Sequence, residues 1–199
     1  MKPGFSLLSI LLFFFLRPVN GISQEKDIRI RIIQDDSVYE PDVDLSTISL
    51  QKKSFKIQVL LQHISGIYVF TSLSDTMYRL TDTDPVPGFS DLPDRLMTED
   101  NKEKEITVSN DGWCYWSNVP GASPCGFNKK MISLDSGRVV GVKSIKQLYF
   151  LPSGKTLKLK DIRAPVYIFF VAVDGVDGSG KPMKELARRK LKIDWLDED

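Results

Sequence analysis

Apolar and polar residues alternate with a period of two along most of the chain, the signature of half-buried β-strands rather than helices. Ile28, Ile30 and Ile32 alternate with Arg29 and Arg31, giving one dry face and one wet one. Phe55, Ile57, Val59 and Leu61 alternate with Lys56, Gln58 and Gln62 in the same way. After Ser65-Gly66 comes the β-branched and aromatic run Ile67–Thr71, which predicts a hairpin with the preceding strand. Ile106 and Val108 are followed by Asn110-Asp111-Gly112, a strong turn signal, and then by Trp113–Trp116. Arg138–Val142, Leu148–Leu151 and Thr156–Leu159 read as short strands, the last two joined by a Pro152-Ser153-Gly154 turn. Val166–Val173 is apolar at every position and predicts a central strand covered on both faces. Leu191, Ile193 and Trp195 alternate with Lys192 and Asp194 at the end of the domain.

This pattern of about nine or ten short strands predicts an all-β fold, an antiparallel β-sandwich of immunoglobulin-like or jelly-roll-like type with little helix. The best helical segment, Met183–Arg189, reads equally well as the lead into the last strand. Thr81–Pro93 is rich in proline and turn formers and predicts a long loop, and Glu99–Glu105 is a solvated charge run.

The amino terminus changes the picture by adding an address. Met1-Lys2 precedes an apolar run from Phe5 to Leu16 that is stopped by Arg17-Pro18. Such a run is too short to span a membrane and has the length of a signal-peptide core. Small residues permit cleavage after Gly21 or Ser23. Residues 1–23 are therefore expected to be a cleaved signal peptide and 24–199 a single β-sandwich domain, secreted or periplasmic, with no stable membrane insertion after cleavage. Export in turn gives a meaning to Cys114 and Cys125, which are expected to form one disulfide across a short proline- and glycine-containing loop. Closing that loop is worth roughly 2–3 kcal/mol in the chain-entropy account.

Of 199 residues, 27 are Lys or Arg and 26 Asp or Glu, for a net charge of +1. That balance lacks the basic excess that binding to nucleic acid or an anionic membrane requires. One His and two Cys argue against most zinc, iron–sulfur and histidine-based catalytic sites. No cofactor, metal or catalytic residue is expected.

Three motifs carry candidate chemistry. Gly175–Lys181 reads G-x-x-x-x-G-K after an apolar strand, and Val173–Pro182 resembles the phosphate-binding loop of thymidylate kinases. Pro182 stands where that loop needs a hydroxyl for magnesium, and it removes a backbone donor, so the segment is read as a hairpin loop and not a nucleotide site. Asp174 and Asp177 hint at calcium, but Val176 and Ser179 break the required pattern. Trp113, Tyr115 and Trp116 flank Cys114, and alternation sends Trp113 and Tyr115 to one face, Cys114 and Trp116 to the other. One set packs into the core and the other is a candidate ligand-binding platform.

The function expected from these residues is that of an exported, non-catalytic binding or surface-associated module with a protein or glycan partner. The alternative is a carbohydrate-binding module using Trp113, Tyr115 and Trp116. A small hydrolase using a pair of carboxylates is the rival from another class.

Overall fold

In a computed structural model of the chain, the described residues are 27–40, 46–64, 66–80, 105–108, 114–117, 132–135, 138–151, 153–174 and 184–196. They form thirteen strands, one short α-helix and a single 3-10 turn at Leu159–Asp161. In chain order the strands are β1 (Asp27–Gln34), β2 (Ser37–Tyr39), β3 (Ser46–Leu50), β4 (Phe55–Gln62) and β5 (Gly66–Ser72). The helix α1 (Asp75–Leu80) comes next, followed by β6 (Glu105–Thr107), β7 (Cys114–Ser117), β8 (Ile132–Asp135) and β9 (Arg138–Ile145). The series ends with β10 (Gln147–Phe150), β11 (Thr156–Lys158), β12 (Val166–Val173) and β13 (Glu185–Trp195). A five-stranded sheet has the order β2-β1-β4-β9-β8; an eight-stranded sheet has the order β11-β10-β6-β5-β12-β13-β3, with β7 also paired to β5. The all-β sandwich read from the sequence is thus the observed architecture. It is not wholly antiparallel, because β3 runs parallel to β13 along Ser46–Leu50.

The period-two pattern explains how the sheets meet. On β1, Ile28, Ile30 and Ile32 are buried opposite Leu61, Val59 and Ile57 of β4, while Arg29 and Arg31 face away. The dry face of this small sheet packs on Ile67, Val69, Ile168, Phe170, Leu191 and Ile193 of the large one, in a single apolar core. Phe55 of β4 and Trp195 of β13 meet at one end, ring centroids 6.4 Å apart, and the Trp195 indole N–H donates to the Ala164 carbonyl at 3.1 Å. The Gln34 side chain pins the connection from β3 to β4: Nε2 donates to the carbonyls of Gln51 and Lys53, and Oε1 accepts from the Gln51 N–H.

One predicted hairpin is corrected. β4 and β5 do not form a hairpin, since β4 pairs with β1 and β9 while β5 pairs with β12, β6 and β7. The chain instead crosses between sheets. Both strands carry apolar residues that must reach the same core, and opposing sheets bury the two sets against each other. His63 makes the corner at φ 53, a left-handed conformation, and Ile64 is buried where the chain crosses. The Asn110-Asp111-Gly112 turn signal lies outside the described residues, and the strands on either side of it, β6 and β7, both pair with β5. Ile106 lies opposite Thr71 and Cys114 opposite Val69, so both strands run along the same edge of β5. β6 and β7 are thus two short strands along one edge of β5, and among the described residues neither pairs with the other.

The hairpin of β10 and β11 forms as expected, with Gly154 at φ 64 donating to the Phe150 carbonyl at 2.7 Å. Residues Met183–Arg189 resolve as strand from Glu185 onward. β12 has the predicted bounds and is buried at all eight positions, between β5 and β13. Its outer face carries Tyr167, Phe169, Val171 and Val173, which form a second apolar cluster with Phe70 and Tyr78. Tyr78 comes from α1, an element the proline-rich composition downstream obscures. Among the described residues no helix is long and apolar enough to cross a membrane.

Candidate functional site

The two outer faces of the sandwich differ in kind. On the large sheet, cross-strand rows place Tyr68, Val171 and Arg188 side by side, then Phe70, Phe169 and Lys190, then Ser72, Tyr167 and Lys192. Residues directly opposite in an antiparallel pair share a face. The Tyr78 ring packs 5.1 Å from that of Tyr167 and 6.0 Å from that of Phe169, and the Lys190 ammonium lies 4.6 Å from the Tyr78 centroid. Burial pushes both phenols above their ordinary pKa, so neither is an acid near neutral pH. The Tyr78 hydroxyl is buried and has no hydrogen-bond partner among the described residues. The hydrogen bond from Lys192 to Asp194, 2.9 Å long, holds the Lys192 ammonium above its usual value.

A bulge in β13 supplies a further pair. Ala187 lies opposite Ala172 but Glu185 lies opposite Val173, so β13 carries one extra residue there. Strict alternation would send residues three apart to opposite faces. The bulge brings Glu185 and Arg188 onto the same face, where the guanidinium donates to both carboxylate oxygens. Their side chains are 0% and 5% exposed.

Two of the aromatic candidates, Tyr115 and Trp116, lie on β7 at consecutive register positions along β5. Tyr115 occupies the register position opposite Tyr68, on the outer face, whereas Cys114 and Trp116 lie opposite Val69 and Ile67, which belong to the main core. Trp113 and Cys125 lie outside the described residues, as does the loop 175–183 with the Gly175–Lys181 motif. The strands flanking that loop, β12 and β13, pair antiparallel, and the Asp174 N–H donates to the Lys184 carbonyl at 2.9 Å. The chain therefore re-emerges as a strand, where a phosphate-binding loop would open a helix.

The outer face of the small sheet carries two cavities. One, of about 220 Å³, is lined by Arg29, Arg31, Gln58, Leu60, Arg138 and Val140. Register explains the grouping: Arg29 lies opposite Leu60 and Leu60 opposite Val140, while Arg138 lies opposite Gln62. Half-buried Leu60 and Val140 make an apolar floor, and arginines from β1 and β9 stand on either side of it. Arg29 pairs with Asp27 at 2.9 Å and Arg31 with Glu40 at 2.5 Å, with side chains 69% and 50% exposed. The second cavity, of about 330 Å³, lies where Ile33, Lys56, Ser144 and Lys146 meet near Phe55. Ile33, Lys56 and Ser144 form one cross-strand row, on the same outer face. Sequence reading identified Arg29 and Arg31 only as the wet side of a strand. Their approach to Arg138 depends on pairing across more than a hundred residues and has no local signal. No protein-family model matches this chain, and no curated protein matches it.

Proposed function

We propose that the protein is an exported, non-catalytic binding module, stapled by a Cys114–Cys125 disulfide, that docks its partner on the outer face of the small sheet. The observation that carries this reading is the cavity of Arg29, Arg31 and Arg138 around Leu60 and Val140. Arginine beside a small apolar floor is the composition of recognition surfaces, because guanidinium combines charge, fixed donors and a stackable plane. The outer face of the large sheet, by contrast, buries its aromatic residues in its own second cluster.

The test is a panel of soluble polysaccharides and envelope proteins presented to the mature, oxidised chain, with hydrogen exchange read on any binder. Protection of β1, β4 and β9 is expected. Binding that protects only the large sheet would defeat the proposal. The disulfide has its own check: alkylation of the unfolded, unreduced protein should label neither cysteine, and labelling of both would remove the staple.

A second reading, carbohydrate recognition through Trp113, Tyr115 and Trp116, draws on the register of Tyr115 beside Tyr68. The Tyr68 ring is half-buried and stacks on Phe70 at 6.1 Å. Stacked aromatic rings present a flat apolar surface that suits the C–H faces of sugars. On that reading Tyr115→Ala abolishes sugar binding and Arg29→Ala leaves it intact; on the preferred reading the effects are reversed.

A further inference from the structure

We infer that the outer face of the small sheet is a track for a linear acidic polysaccharide, its arginines receiving the carboxylates of uronate rings. The inference rests on the binding reading above and names its ligand class. Arg29 and Arg31 are two residues apart on β1, about 7 Å along the strand. Arg138 lies on β9, two strands away across β4, about 10 Å to the side. All three line one cavity, so a ring seated on Leu60 and Val140 has guanidinium groups on both flanks.

The site already handles this chemistry within the chain. The Asp27 carboxylate meets Arg29 Nε and the Glu40 carboxylate meets Arg31 Nε. These are exposed ion pairs, worth little in water, so a ligand carboxylate exchanges for them at small cost. A planar guanidinium takes a carboxylate through two parallel hydrogen bonds, which favours uronates over neutral sugars.

The second cavity extends the site into a track. It lies on the same outer face, with Lys56, Lys146 and Asp35 on its wall, the Asp35 carboxylate being paired with Lys53 at 2.6 Å. The row through Lys56 and the row through Gln62 and Arg138 are six residues apart on β4, about 20 Å. Arginines in one pocket and lysines in its neighbour, along one face of the sheet, suit an extended polymer better than a compact anion. The lack of aromatic rings lining the first cavity sets this face apart from a single-stranded nucleic-acid surface, which needs stacking platforms.

The test compares polygalacturonate with its fully methyl-esterified form, an identical backbone without the charge, by calorimetry on the mature oxidised protein. Polygalacturonate is expected to bind, with affinity falling as salt rises. Esterification should weaken binding by about tenfold or more, and Arg29→Gln with Arg138→Gln should do the same, since one charge-assisted contact is worth about that factor. The double variant should keep its thermal midpoint, because the Arg29 side chain is exposed. Failure of both polygalacturonate and alginate to bind overturns the inference. So does equal binding of dextran sulfate, or a double variant that binds like the parent. Equal binding of acid and ester overturns it too; if Leu60→Glu then abolishes that binding, the face remains a docking surface, and if it does not, the binding reading falls as well.

Discussion

Replacing Phe169 with Ala should lower the unfolding free energy by about 3–5 kcal/mol, as much as Phe170→Ala does. The two residues are neighbours on β12, both 1% exposed, and they point to opposite sides of the large sheet. Phe170 belongs to the core between the sheets and Phe169 to the cluster with Tyr78, Tyr167 and Phe70. In a sandwich whose outer faces are solvated, truncating the outward phenylalanine would change stability by only about half a kcal/mol. Urea denaturation of both variants decides the matter. A Phe169→Ala effect below about 1 kcal/mol would mean that the outer face of the large sheet is wet.

The second large effect is expected at the bulge. Glu185→Ala removes the carboxylate that accepts both donors of Arg188 and leaves a guanidinium in a site where its side chain is 5% exposed. Breaking a buried pair on one side costs about 3–5 kcal/mol, because the remaining charge has lost both water and partner. For a chain of this size that lowers the thermal midpoint by on the order of 10 °C. Replacing both members with apolar residues of similar volume, Glu185→Leu with Arg188→Met, should recover most of the loss. A double variant as unstable as Glu185→Ala would show that the pair holds more than itself in place. The adjacent Lys190 ammonium over the Tyr78 ring makes that comparison informative, since it lies on the same face.

The long strands were legible because their signal is local. β1, β4 and β12 each expose their burial pattern in the order of apolar residues, and β12 announced its two-sided cover by having no polar position at all. The short strands β2, β3 and β8 were not foreseen. They span three to five residues, too few for alternation to stand out, and pairing with longer neighbours holds them in place. α1 was missed for the same reason: six residues make under two turns, and what fixes the helix is Tyr78 packing on Tyr167 and Phe169.

Turns show the limit more sharply. Ser65-Gly66 and Asn110-Asp111-Gly112 carry turn chemistry in the sequence, yet a turn residue states only that regular structure stops. Which strand the chain pairs with next depends on where the apolar faces can be buried. At His63–Ile64 the answer was the opposite sheet, and after Val108 it was the same edge of β5.

Class, strand count within a few, the central strand and the dry face of each long strand were written in the sequence by itself, since period-two patterning is a property of neighbouring residues. The tertiary structure alone decided the partners across the sheets: the parallel edge at β3, the second cluster under Tyr78, the bulge that turns Glu185 toward Arg188, and the meeting of Arg29 and Arg31 with Arg138. Each of these joins residues distant in the chain, and burying every apolar face at once is a condition on the whole molecule that no short window of sequence contains.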